Sequence, residues 1–275
     1  ITPKALVQKT KEMGMPAVAL TDLGNMFGCV EFYFAAKAAD VKPILGLEVY
    51  LAPWGRFEKN ENKQGQKRPN RRMVLLAQDM QGYRNLCQIS SKGFQEGFYY
   101  KPRVDDEVLA AHSQGVIALS GGIMGEIPWV FQNVGEQEAL DKIQRYQELF
   151  PERFFLELNQ TGVNGWAEIN NFLKEASKQT GAPLVAANDV HYLHQEDQLA
   201  QEVLVCIGSN KTLQDESRFR LGSDQFYFKG PEAMKELFAD CPQAVSNTLA
   251  VAERCNVEFQ LKDDSGNPIY HLPSY

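Results

Sequence analysis

The chain has 275 residues, 44% of them hydrophobic and 23% charged, an ordinary globular composition with ample length for a buried core. No apolar run is long enough to span a membrane, and Ile1-Thr2-Pro3-Lys4 lacks the apolar stretch of a signal peptide. The formal charge of −7 argues against a domain that grips DNA by its own surface, because neutralising phosphates needs a basic balance.

Thr2-Pro3 predicts a helix start, a capping hydroxyl followed by proline at the first helical position, with the helix running to Met13 and stopping at Gly14. Pro16 to Leu20 is apolar without alternation, as a strand buried on both faces should be. A helix near Met26–Ala39 and a strand over 42–51 follow, then a polar interruption over 53–72. Met73–Ala77, Val116–Leu119, Phe154–Leu158 and Leu184–Ala187 read as further buried strands. Helices are predicted near 83–94, 137–150, 166–180 and 198–207. This alternation implies an α/β domain with a mainly parallel sheet that tends toward a barrel. Beyond 208 the pattern changes to loops and two short helices, near 232–238 and 243–255, expected to be peripheral. The tail through Asp263-Asp264-Ser265-Gly266 is turn chemistry, and the whole reads as a domain cut from a longer protein. Cys29, Cys87, Cys206, Cys241 and Cys255 form no CxxC pair, which disfavours a disulfide framework or a cysteine zinc site and suits a reducing cytoplasm.

In parallel βα barrels the chemistry gathers at the carboxyl ends of strands. There the sequence offers Asp22, Glu48, Glu157 and the pair Asp189 and His191. Asp and His two apart at a strand end point to one side, and both ligate zinc or manganese. The plainer readings are a helix cap for Asp22, a salt bridge for Glu157 and a structural hydrogen bond for Asp189 and His191. The 53–72 segment carries Arg56, Lys59, Lys63, Lys67, Arg68, Arg71 and Arg72 against Glu58 and Glu61. A solvated, mobile insertion is the favoured reading, contact with a phosphate backbone or an acidic partner the other. In Gly97–Arg103, Lys101 and Arg103 beside aromatic residues suit nucleic acid, or else aromatics buried under snorkelling bases.

Several segments together resemble one family. Pro16–Gly28 (PAVALTDLGNMFG), Lys42–Tyr50 (KPILGLEVY), Glu96–Val104 (EGFYYKPRV), Ala118–Gly125 (ALSGGIMG), Ala187–Leu193 (ANDVHYL) and Leu237–Asn256 are similar, in order, to the PHP domain of bacterial DNA polymerase III alpha subunits. The resemblance implies a distorted seven-stranded β/α barrel whose active members hold a multinuclear metal centre. Its first ligands would lie in a strand before Ile1. Of the later ligand positions, Glu48, Asp189 and His191 are kept, while Leu23, Arg72 and Gly122 stand where the family has histidine, histidine and cysteine. The remnant cleft would therefore comprise Asp22, Glu48, Asp189 and His191, with no metal bound. Lys67, Arg68, Lys101 and Arg103 are the candidate contacts to nucleic acid or a partner. The full protein would be a DNA-directed DNA polymerase using Mg2+ for nucleotidyl transfer. This domain would be inactive on its own, packing beside the polymerase core and docking a separate proofreading exonuclease subunit. DNA would be reached through the full-length protein, and no membrane is involved. The alternative is a metal-dependent phosphoesterase or a 3'-5' exonuclease of the PHP family.

Overall fold

A computed structural model describes residues 1–59, 62–63 and 66–270, without the side chains of 62–63 and 66–67. Helix α1 (Pro3–Glu12) starts as its sequence dictates: the Thr2 hydroxyl accepts from the Ala5 N–H, and proline occupies the first turn. Then come β1 (Ala17–Leu23), α2 (Cys29–Ala39), β2 (Lys42–Leu51), and a short antiparallel pair, β3 (Asn62–Lys63) and β4 (Gln66–Lys67). The chain continues through β5 (Arg71–Ala77), α3 (Met80–Gln95), β6 (Arg103–Val104), α4 (Asp106–Ala111) and β7 (Val116–Leu119). Next are α5 (Glu126–Asn133), α6 (Glu136–Leu149), β8 (Phe154–Asn159), α7 (Trp166–Thr180) and β9 (Leu184–Ala187). The last elements are α8 (Gln198–Ser209), α9 (Pro231–Leu237) and α10 (Pro242–Arg254). None of the described helices is long and apolar enough to cross a membrane.

The main sheet has seven strands in the order β1-β2-β5-β7-β8-β9, with β6 also paired to β2. It is mainly parallel, at β1/β2, β2/β6, β7/β8 and β8/β9. Strand β5 is the exception, antiparallel to both β2 and β7. The cause lies in the connection: a parallel return needs a crossover, usually a helix, and the polar segment between β2 and β5 forms none among its described residues. The alternating register divides the strands into two faces. On the outer face Leu45, Leu47 and Val49 join Phe32, Leu86 and Ile89 of α2 and α3 in the large core. On the inner face Ile44, Leu76, Ile117, Phe155 and Val185 form a second cluster with Val251, Ala252 and Cys255.

That second cluster corrects the expectation for the residues after 208. Helix α10 is not peripheral, because it closes the apolar half of the inner face. Asn247 on its buried side donates to the Leu184 carbonyl at 2.7 Å.

The picture of 53–72 as a solvated insertion also needs correction. Arg56 is buried and bonds Glu96 (2.7 Å), Asp105 (2.9 Å) and Glu107 (2.8 Å). Arg68 lies over the Trp54 and Trp129 rings, at 4.9 and 5.5 Å, and Arg71 over Trp129 at 4.9 Å. Lys59 is exposed. Glu61 and the side chains of Lys63 and Lys67 lie outside the described residues. The local excess of positive charge is thus largely absorbed by carboxylates and indole rings.

Candidate functional site

The inner face is polar at its other end. Register places Leu23 opposite Glu48 and Tyr50 opposite Arg72, all on this face. Glu157 pairs with Val185 and Asn159 with Ala187, so the same parity carries the chain on toward Asp189 and His191 just past β9. These side chains converge, as their mutual electrostatics show: Arg72, Asp189 and His191 all act on Glu48, and Glu48 and Asp189 both act on Glu157.

Asp22 is not part of this group. It pairs with Leu47 on the outer face, one residue out of phase with Leu23. A Cβ built on Gly28 would stand 2.9 Å from Asp22 Oδ2, which puts the carboxylate against the amino end of α2. There a negative charge meets the positive end of the helix dipole. Asp22 thus lies beside the start of α2, whose cap residue is Gly28, and on the face of the sheet away from Glu48.

Arg72 Nη1 lies 3.4 Å from Glu48 Oε1, with both side chains largely buried. Burial raises the Glu48 carboxyl above its ordinary range, and the Arg72 guanidinium opposes that rise. His191 Nε2 sits 3.2 Å from Asp189 Oδ1, and the His191 N–H donates to the Phe226 carbonyl at 2.8 Å. The loop is braced from behind by Lys229, a buried side chain whose Nζ bonds the Gln225 carbonyl and lies 3.4 Å from Asn188 Oδ1. Burial lowers the Lys229 ammonium from its usual value.

Glu157 is the residue whose role the sequence did not give. It makes no salt bridge, being held instead by Asn159 Nδ2 at 2.5 Å, and its Oε2 is buried without a partner. Burial pushes its carboxyl up to about 8, with Glu48 and Asp189 adding to the rise against the Asn159 bond. At neutral pH it is largely protonated. Asn159 is equally buried, with an unpartnered Oδ1. The clue was available: Glu157 and Asn159 are two polar residues at strand spacing in an otherwise apolar run.

Gly122 lies in the turn after β7 at φ +55°, and a Cβ built there would stand 3.2 Å from Glu157 Oε1 and 3.1 Å from Asn159 Nδ2. A side chain at this position would point into the same group. Three of the ligand positions that the resemblance implies carry no metal donor here. Leu23 and Gly122 offer no donor, and the Arg72 guanidinium puts a fixed positive charge beside Glu48. Among the described residues no three His, Cys, Asp or Glu side chains are grouped as a metal site.

The candidate nucleic-acid contacts divide. Arg103 is 1% exposed and donates to the carbonyls of Gly97 (2.9 Å), Glu58 (2.9 Å) and Arg56 (3.0 Å), so it is a structural strut and not a surface contact. Arg68 is half-buried against the two tryptophans, and Lys67 falls outside the described side chains. Among the three whose side chains are described, Lys101 is the exposed one, its Nζ 5.7 Å from the centre of the Tyr50 ring. Replacing it by alanine should change the unfolding free energy by less than about 0.5 kcal/mol in urea titration.

Comparison with known proteins finds relatives along nearly the whole chain. The DNA polymerase III subunit alpha of Treponema pallidum is 40% identical over 269 residues, covering 98% of this chain and 23% of that protein. That of Borreliella burgdorferi is 39% identical over 251 residues, 91% of this chain and 22% of its own length. That of Thermus aquaticus is 39% identical over 263 residues, 94% and 21%. The chain thus spans less than a quarter of the length of these relatives. A family model described as the PHP domain matches residues 1–161, more than half of the sequence, and the chain belongs to the PHP domain family.

Proposed function

We propose that the chain is the PHP part of a replicative DNA-directed DNA polymerase, and that its cleft is a structural remnant in which Arg72 takes the place of metal charge. The observation that carries the polymerase reading is the extent of the similarity. Identities of 36–41% run over 91–99% of this chain, far beyond the family model's own span. The Arg72–Glu48 contact supports the reading of the cleft, since a guanidinium can balance a buried carboxylate and repels a cation. Glu48, Asp189 and His191 are the retained ligand positions, and Leu23, Arg72 and Gly122 the substituted ones. The nucleotidyl-transfer site, with its Mg2+, belongs to the polymerase core outside this chain. The role of the domain is to pack beside that core and to dock a separate proofreading exonuclease subunit, in the cytoplasm. DNA is engaged through the full-length protein.

The test uses the full-length protein. Template-directed nucleotide incorporation with Mg2+ is expected, and its absence would sink the polymerase reading. Elemental analysis should find bound zinc, manganese and iron well below one per protein. Any release of nucleotides from single-stranded DNA should be unchanged by His191→Ala. Stoichiometric metal, with nuclease activity lost in that variant, would establish the alternative of a metal-dependent phosphoesterase or exonuclease.

A further inference from the structure

Helix α8 is built inside out. At about 100° per residue, Leu199, Val203, Ile207, Ala200, Leu204 and Gly208 occupy one half of its circumference. All six are exposed, and none is polar. Leu199 is 62% exposed, Leu204 63% and Ile207 71%. A Cβ built on Gly208 would meet nothing within 4 Å. The other half carries Gln198, Gln201 and Glu202 with Val205 and Cys206, and Cys206 is the only fully buried residue of the helix. An ordinary surface helix turns its apolar stripe inward and its polar face to water. Here the arrangement is reversed over three turns. In the loop that follows, Leu213 (41%) and Phe219 (63%) are exposed as well.

The same loop is pinned to the helix by an ion pair, Arg218 Nη2 to Glu202 Oε2 at 2.6 Å, with Arg218 largely buried. Arg218 Nη1 is buried without a partner. The backing of the helix is thus fixed while its apolar face is left open. A contiguous apolar surface of this kind marks a contact with another surface.

The chemistry of α8 selects the partner. Its only charged residue is Glu202, already paired, and it carries no lysine or arginine. An anionic membrane or a nucleic acid would call for basic residues along the helix. The face suits an apolar protein surface. We infer that the Leu199–Val203–Leu204–Ile207 face is covered, in the full-length protein, by the segment lying beyond residue 275. The inference rests on the polymerase reading, in which relatives of this chain have more than three quarters of their length outside the matched region.

The test is made on the full-length protein carrying Leu204→Cys, Ile207→Cys or, as an exposed reference, Lys178→Cys, whose native side chain is 71% exposed. Alkylation is read at each peptide by mass spectrometry. Positions 204 and 207 should react at least tenfold more slowly than 178, at every protein concentration. Equal rates would overturn the inference. A photo-cross-linker attached at 204, in a mixture of isotopically light and heavy protein, should give only light–light and heavy–heavy products, joined to residues beyond 275. Mixed products, or protection lost on dilution, would assign the face to a second copy and overturn the inference as well. DNA synthesis by the same preparations separates the two readings. Synthesis with an unprotected α8 refutes the docking face alone, whereas protection without synthesis leaves the face intact and removes the polymerase.

Discussion

Arg103→Met is expected to lower the thermal midpoint of this domain by about 10 °C. Arg103 is among the largest fully buried side chains, and its guanidinium gathers three carbonyls, from Gly97, Glu58 and Arg56. Methionine restores most of the aliphatic volume but none of the donors. Each buried carbonyl left without its donor costs on the order of 1 kcal/mol, giving roughly 3 kcal/mol in all. At about 2–4 °C per kcal/mol for a domain of this size, the shift follows. The site cannot relax by closing up, because the backbone is already in contact: a Cβ built on Gly97 would stand 1.8 Å from the Arg103 carbonyl oxygen. The Arg56 cluster sits on the same strut and loses its support when Arg103 is removed. Differential scanning calorimetry of the variant, with Lys101→Ala as an exposed control, makes the measurement. A midpoint within about 2 °C of the parent would show that the carbonyls find water, and would return Arg103 to the surface role its sequence context suggested.

The buried settings of Arg103 and Arg56 are invisible to a local reading for a physical reason. Counting charges along a segment reveals their sign but not their partners. The carboxylates that hold Arg56 lie 40 to 51 residues away, beyond the reach of any local pattern. The strands were legible because burial on both faces leaves an apolar run that little else produces. Their direction was not, since an apolar run reads the same either way, and the antiparallel course of β5 depends on the connection before it. Helix α5 was missed because Gly121, Gly122 and Gly125 precede it and Pro128 lies in its first turns, all turn signals when read locally. The candidate cleft was half legible. Glu48, Arg72, Asp189 and His191 are on one face as strand parity requires. Asp22 failed by that same parity: it is one residue from Leu23, and one residue along a strand is the opposite face of the sheet.

Glu157→Gln is expected to flatten the pH dependence of stability between about pH 4.5 and pH 8. The Glu157 carboxyl stands near 4.5 when free and is pushed up to about 8 in the folded chain, burial being the main cause and Glu48 the next. Between those values the folded state holds a proton that the unfolded state has released. Stability therefore falls as pH rises through this window: the contribution is whole below about 4.5 and lost above about 8. At 1.36 kcal/mol per pKa unit, the rise from 4.5 to about 8 makes the full loss roughly 5 kcal/mol. Glutamine is neutral throughout and close in shape, so the variant has no such slope. Its nitrogen meets an environment in which Glu157 Oε2 has no partner, which sets a constant offset between the two proteins but no pH dependence. The quantity to read is the difference in unfolding free energy between variant and parent, from urea titrations at pH 5 and pH 8.5. It should move in the variant's favour by several kcal/mol across that interval. Glu48, which burial also raises, titrates in both proteins and largely cancels from the difference. Parallel profiles, agreeing within about 1 kcal/mol at both ends, would mean that Glu157 is ionised in the folded chain at neutral pH. The cleft would then hold an unbalanced negative charge beside Glu48 and Asp189, the arrangement a bound cation would need.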